Sequence, residues 1–364
     1  MGERRVLWAS TSTQTRGGIA TYVRELQQTD LWLNWNIRHV VTHVDGSRAM
    51  KLAAFVRGVL LFVFELVSRR PDLVHLHSSA DASFTRKATL FWISRAVRVP
   101  VVVHMHGSDF QCYYDRSSNS VQGVIRRTLS QASAVVALGE VWADRLRVIA
   151  PAARITVIPN AVRPALQAVQ PESGQPVQVV FLGRIGERKG TFRVLDAWAK
   201  LAADGELGPG TDKVALLTIA GDGEVQLARD RICQLGLQGA VTLHDWLSPD
   251  AVSELLDRAQ VLVLPSRAEG QPMAVLEAMA RGLCIISSDV GGLEEMVGGG
   301  CGVIVDPDDV DAIAEALREV IGDRALRVRY GSAAHARCEA QFDVRSVSGR
   351  IDSLYREIIR LAPV

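Results

Sequence analysis

Apolar runs recur along the chain at the spacing of strands alternating with helices. The first six are RRVLWAS, NIRHVVTHV, DLVHLHSS, VPVVVHMHGSD, ASAVVALGE and ARITVIPNAV, with helical stretches such as IATYVRELQQ between several of them. Most are apolar throughout rather than alternating, which predicts strands of a parallel sheet covered on both faces. The stretch RPALQAVQPESGQP, Arg163 to Pro176, has three prolines and no periodicity and reads as a linker. The alternation then restarts with VQVVFLGRI, VALLTIAGDG, AVTLHDWL, AQVLVLPS, LCIISSDVGG and CGVIVDP. The expected class is α/β, with two tandem Rossmann-like doubly wound domains over 1–163 and 177–343, a linker over 164–176 and a closing helical segment over 344–364. Ligands of such domains sit at the carboxyl ends of the strands, and the unusual residue clusters of this chain fall there.

Composition adds one asymmetry. The 364 residues are 48% hydrophobic, enough for two cores, and the net charge is only +1. Residues 1–162 hold 20 Lys and Arg against 11 Asp and Glu, or +9, and the remainder 21 against 29, or −8. A basic first half predicts an anionic partner, a phospholipid surface or a phosphorylated acceptor, unless the charges are simply scattered over solvated faces. No nucleic-acid partner is expected. Five dispersed cysteines without a C-x-x-C pair argue for a reducing compartment and against zinc or a disulfide framework. The start, MGERRVLWAS, has too short an apolar run for a signal peptide. Lys51–Arg70 is too interrupted to span a membrane and reads as an amphipathic helix with basic ends, either core-facing or lying on a membrane. The expected location is the cytoplasm, including the inner face of the plasma membrane.

Three motifs bear on chemistry. Gly17 and Gly18 precede a helix, where bare backbone amides suit a phosphate or sugar oxygen, although G-G is also an ordinary tight turn. In FLGRIGERKG, Arg184 and Lys189 follow the first strand of the second domain, placed for a diphosphate unless they are merely solvated cations. No G-x-G-x-x-G opens a helix, which disfavours a dinucleotide site. In SRAEGQPMAVLEAMARG, Glu269 and Glu277 bracket a strand-to-helix turn with Pro272 at the helix start. Eight residues of helix would rise roughly 12 Å, about the reach of a sugar, a diphosphate and a ribose. The helix start would take the diphosphate, Glu269 the sugar and Glu277 the ribose, because carboxylates accept two hydroxyl donors at once. Taken singly, each glutamate could be an ordinary exposed residue.

Together these motifs resemble the family-4 retaining glycosyltransferases of the GT-B fold. The resemblance spans nearly the whole chain, through GGIATYVREL, HMHGSD, GRIGERKG, AGDGE, LPSRAEGQPMAVLEAMARG and SSDVGGLEEMV. It implies two domains facing each other across a cleft that closes over the donor, and a final helix crossing back to the first domain. It also implies transfer of a sugar from a nucleotide-sugar (UDP or GDP) with retention and without a metal or other cofactor. By the same resemblance, Gly17 and Gly18 approach the donor phosphate, and His106 hydrogen-bonds the donor sugar. Arg184 and Lys189 neutralise the departing diphosphate, where charge builds in the transition state. Glu269 orients the sugar, the amides of Met273 and Ala274 add to the anion site, and Glu277 holds the ribose. Gly183, Gly221, Gly270 and Gln271 join the donor site, and the base lies against His244, Asp245, Trp246 and Leu247. His75, His77 and His104 are expected to be ordinary strand histidines.

The acceptor is expected on the first domain, at SSADASFTRKATLFW and HMHGSDFQCYYDR, loops that look like those of bacterial surface-polysaccharide enzymes. Ser78, Ser79, Arg86, Lys87, Asp109 and Tyr113 are the candidate contacts. With the basic first half and the Lys51–Arg70 helix, they point to a glycan on a polyprenyl diphosphate at an anionic membrane face. A nucleotide-sugar epimerase of the same architecture and a catalytically silent partner subunit are the competing readings.

Overall fold

The computed structural model describes residues 4–172, 174–205 and 215–361. They divide into two compact units, one running through Ala161 and resuming at Asp343, the other Val162–Phe342. The first unit has strands β1 (Val6–Ser10), β2 (Arg38–Val41), β3 (Leu73–Ser78), β4 (Val101–Met105), β5 (Ala134–Ala137) and β6 (Ile155–Val157). They form one parallel sheet in the order β2-β1-β3-β4-β5-β6. Alternation along each strand feeds two cores. Leu7, Ala9, Val74, Leu76 and Val103 pack on one face, and Val6, Trp8, Leu73 and Val102 on the other.

The helix Val344–Leu361 covers that second face with a stripe of Val344, Val347, Ile351, Leu354, Tyr355 and Ile358. Two indole N–H groups fasten it. Trp8 Nε1 donates to the Tyr355 hydroxyl at 2.9 Å and Trp35 Nε1 to Asp352 Oδ1 at 2.7 Å. Residues 362–364 of the predicted closing segment lie outside the described residues.

The second unit has β7 (Val177–Leu182), β8 (Ala215–Ala220), β9 (Val241–His244), β10 (Val261–Leu264), β11 (Cys284–Ser288) and β12 (Gly302–Val305). Their order is β12-β11-β10-β7-β8-β9, all parallel, so the chain winds outward in both directions from β7. Val214, the first residue of the predicted VALLTIAGDG strand, lies outside the described residues. The segment predicted as a linker is part of this unit. Ala165 and Ala168 pack on its core, the Ala168 amide donates to the Arg281 carbonyl at 2.8 Å, and Arg327 Nε donates to Gln170 Oε1 at 3.1 Å. A periodicity search misses such a strap because its anchors are buried side chains far away in sequence; Ser173 within it lies outside the described residues.

The predicted amphipathic helix forms over Arg48–Ser68, capped by Ser47, whose hydroxyl accepts from the Met50 amide at 3.3 Å. Only Gly58, Phe62 and Leu66 are buried. Leu52, Val56, Leu60, Phe64 and Val67 recur every three or four residues on the opposite face, Leu60 67% exposed and Phe64 62%. Among the described residues no helix is long and apolar enough to cross a membrane.

Candidate active site

In the second unit the loops after β7, β8 and β9 continue the sheet's hydrogen bonding. Gly183 N donates to Ala220 O at 3.1 Å, Ile185 N to Asp222 O at 2.6 Å, Glu224 N to Ile185 O at 3.0 Å, and Gly221 N to His244 O at 3.3 Å. Strand-like pairing thus continues on both sides of Arg184. Arg184 itself is exposed and, among the described residues, has no acid partner. Gly221 is buried, and a Cβ there would sit 1.7 Å from the Gly183 carbonyl oxygen. Its lack of a side chain is a condition of this loop contact. His244, Asp245 and Trp246 stand exposed at the end of β9, with Leu247 half-buried.

A second set of contacts ties the β7 loop to the loop after β10. Arg267 N donates to Arg188 O at 2.9 Å and Arg188 to Ala268 O at 2.9 Å. Beneath them Lys189 Nζ donates to Glu269 Oε1, the two side chains only 14% and 6% exposed. The sequence reading assigned these two residues to different parts of a ligand; the structure makes them partners. Gly270 and Gln271 are buried beside Glu269. Pro272 caps the helix Met273–Met279, and the Met273 and Ala274 amides fall in its first turn, where no intrahelical acceptor exists. Glu277 lies half-buried within that helix. Glu269 to Pro272 is not helical, so the predicted uniform helical rise between the two glutamates does not apply. Ser266, not anticipated, is fully buried with its hydroxyl unpartnered just before Glu269.

The first unit carries the other candidates. Gly17 caps the helix Gly18–Gln27 at φ 124°, and a Cβ there would meet nothing within 4 Å, so this backbone borders open space. His106 follows β4, with the Asn160 side chain close enough to act on its pKa. His77 Nδ1 lies 3.0 Å from His106 Nε2, and His75 Nε2 lies 3.2 Å from His104 Nδ1. His75 also meets the Tyr355 hydroxyl. The four imidazoles therefore form a two-by-two array under Tyr22, rather than isolated strand histidines. The alternating HLH and HMH of adjacent strands were the available signal.

Burial keeps the array neutral. It lowers His75 and His106 to about 3 and His77 and His104 well below the usual imidazole value, while Asn160 acts weakly the other way on His106. The ring nitrogens of His75, His77 and His104 lie within 4.8 Å of one another. The rings of His75 and His77 are stacked 14° from parallel, and His75 Nε2 already faces His104 Nδ1.

The proposed acceptor contacts need correction. Ser78 and Lys87 are buried, Ser78 as the last residue of β3 and Lys87 because its helix face turns to the sheet, where it donates to Thr42 Oγ1 at 2.7 Å. Neither offers a surface contact. Ser79 and Arg86 are half-buried and Asp109 is exposed; Tyr113 packs against Phe84 and Phe110.

Two family models match in succession, a glycosyl transferase 4-like domain over residues 31–161 and glycosyl transferases group 1 over 162–337. The chain belongs to this glycosyltransferase family. Among its relatives in sequence, glycogen synthase of Mycobacterium tuberculosis is 35% identical over 208 residues, covering 56% of this chain and 48% of that protein. Alpha-D-kanosaminyltransferase of Streptomyces kanamyceticus is 26% identical over 182 residues, covering 50% and 45%. The glycosyltransferase chain thus spans about half the length of the relatives it matches. Among solved structures, sucrose-phosphate synthase of Thermosynechococcus elongatus superposes with a TM-score of 0.82 at 19% identity, covering 98% of this chain and 99% of that one. Anabaena HepE, solved with UDP and glucose, gives 0.73 at 19% identity, covering 97% and 100%. The fold of this glycosyltransferase is GT-B.

Proposed function

We propose that this protein transfers a sugar from a nucleoside-diphosphate sugar to an acceptor, with retention and without a metal. The Lys189–Glu269 pair carries the reading. A buried ammonium and carboxylate meet at the ends of two neighbouring strands, one charge suited to a diphosphate and the other to sugar hydroxyls. Arg184, exposed and without an acid partner among the described residues, adds the second cation. In the reaction, Lys189 and Arg184 bind the phosphate oxygens as the glycosidic C–O bond breaks and negative charge gathers there. Glu269 orients the sugar through its hydroxyls. The departing diphosphate and the attacking hydroxyl use the same face of the sugar, and the hydroxyl proton passes to the leaving phosphate. Glu277 receives the ribose, and the His244–Leu247 loop the base.

The acceptor we favour is a glycan on a polyprenyl diphosphate at an anionic membrane face. Supporting it are the outward apolar stripe of the Arg48–Ser68 helix, flanked by Arg48, Lys51, Arg69 and Arg70, and the surplus of positive charge in residues 1–162. The names of the relatives, glycogen synthase and alpha-maltose-1-phosphate synthase, point instead to a free glucan or sugar phosphate.

The test is thermal stabilisation by UDP, GDP, ADP and their sugar conjugates, followed by radiolabelled transfer with whichever conjugate stabilises. A ligand at about 100 times its dissociation constant adds roughly 2.7 kcal/mol. Stabilisation by one nucleotide family, abolished in Lys189→Ala and Glu277→Ala, is the expected result. Epimerisation of the donor without acceptor would replace this reading with an epimerase, and silence toward every nucleotide would leave a non-catalytic subunit.

A further inference from the structure

At the carboxyl end of the first unit's sheet, where β1, β2 and β3 finish, positive charge collects, and among the described residues neither Arg86 nor Lys87 has an acid partner. Lys87 is 3% exposed, and its ammonium has Thr42 Oγ1 as its one acceptor among the described residues. Arg86, half-buried beside it, forms no ion pair there, and its Nε is buried and unpartnered. His43, just after β2, is half-buried with an unpartnered Nδ1. Arg86, Lys87, Lys51 and Asp45 are the charged groups within electrostatic reach of this histidine. The one acid of that set, Asp45, accepts the Arg16 amide at 2.8 Å; Asp81, close by in the chain, is paired with Arg116.

Buried cations without anions are costly, and burial lowers the pKa of both, with Lys87 falling to about 7. Proteins ordinarily pair such groups or keep them in water. Two adjacent exceptions, bordered by half-buried side chains that each keep a buried, unpartnered nitrogen, are what an anion site looks like without its anion. Hydroxyls complete the surroundings: Thr11 and Thr15 lie 2.7 Å apart, and Thr42 donates to Ser10 O at 2.9 Å.

We propose that Arg86 and His43 are the contacts, and Lys87 the buried charge behind them, of a phosphate-binding site on the first unit that takes the phosphate or diphosphate end of the acceptor. Only the word acceptor rests on the glycosyltransferase reading; the anion site stands on its own geometry. Lys51 brings the first turn of the helix Arg48–Ser68 within electrostatic reach of this site. A lipid-linked diphosphate and a sugar phosphate in solution present the same chemistry.

The experiment is calorimetric titration with inorganic pyrophosphate. It is done in an Arg184→Gln/Lys189→Met background, so that the second unit's cations do not contribute. Binding should persist in that background. It should weaken roughly tenfold or more on adding Arg86→Gln or His43→Gln, the loss of a charge-assisted contact. Lys87→Met should weaken binding as well while leaving the melting temperature unchanged or raised, because a buried uncompensated charge is replaced by an apolar chain of similar size. Unchanged pyrophosphate affinity in both Arg86→Gln and His43→Gln, or loss of all binding in the background alone, would overturn the site.

Two further arms identify the source. Glucose 1-phosphate binding that Arg86→Gln abolishes assigns a soluble acceptor. Recruitment to phosphatidylcholine vesicles doped with a polyprenyl diphosphate, lost in Arg86→Gln, assigns a lipid-linked one. Pyrophosphate binding that depends on Arg86 with no sugar transfer from any nucleotide would keep the anion site and remove the glycosyltransferase reading. Transfer that survives with no such dependence would do the reverse.

Discussion

Lys189 Nζ donates to Glu269 Oε1 across the ends of the neighbouring strands β7 and β10, joining residues 80 positions apart in the chain. Each neutralises the other in a place water hardly reaches, so on the proposed reading the donor's diphosphate would compete for the ammonium and its sugar for the carboxylate. Removing either partner strands a charge, at a cost of about 3–5 kcal/mol for a fully buried pair. Lys189→Met and Glu269→Gln should each lower the urea midpoint, and the double variant should lose less than the sum, by roughly 1–3 kcal/mol. Strictly additive losses in this double-mutant cycle would mean the pair is not energetically coupled.

Arg184 should behave in the opposite way. It is exposed and, among the described residues, without an acid partner, so Arg184→Gln should leave stability within about 0.5 kcal/mol of the parent. Transfer should nonetheless fall about a hundredfold or more, as when one donor to a developing anion is removed. Steady-state kinetics alongside a melt checks both; wild-type turnover would take Arg184 out of the reaction.

The imidazole array makes stability pH-dependent with a definite sign. Unfolded histidines take up protons near pH 6.5, whereas burial holds His75 and His106 at about 3 in the fold. The native contribution is therefore complete above about pH 6.5 and is lost as pH falls toward 3, by up to about 1.4 kcal/mol per pH unit for each independent group. Urea midpoints at pH 7.5, 6.5, 5.5 and 5.0 should drop steadily, and His104→Phe should flatten the slope. A midpoint that does not move over this range contradicts the neutral array.

Gly221 should tolerate no side chain. A Cβ would sit 1.7 Å from the Gly183 carbonyl, and backbone on both sides leaves no flexible group to yield. Gly221→Ala should cost at least about 2 kcal/mol and displace the Arg184 loop, lowering nucleotide affinity too. Nucleotide titration of a folded Gly221→Ala protein with parental affinity would show that the loop position is unimportant.

The apolar stripe of Arg48–Ser68 predicts a surface phenotype. Leu60→Glu with Phe64→Glu should leave the fold intact, because both side chains face outward, and should abolish flotation with vesicles rich in anionic lipid. If the parent itself does not float, the membrane part of the proposal is gone.

The twelve strands of the described residues were legible because a parallel sheet covered on both faces writes itself largely as apolar runs, and the GT-B class through the resemblance of the motifs at their ends. Arg184, Lys189 and Glu269 were legible as residues of strand-end loops for the same local reason, and Glu277 as a residue of the helix that follows. What tertiary structure alone decided are relations between distant residues. Lys189 and Glu269 became partners because β10 pairs with β7. The histidines became one array because β3 and β4 are adjacent, with His77 in register with His104. Lys87 left the surface because one face of its helix meets the sheet, and the supposed linker became a strap because Arg281 and Arg327 reach it. Local periodicity encodes which segments are buried; only packing encodes which buried groups meet, and in this protein the electrostatics of both units depend on the second.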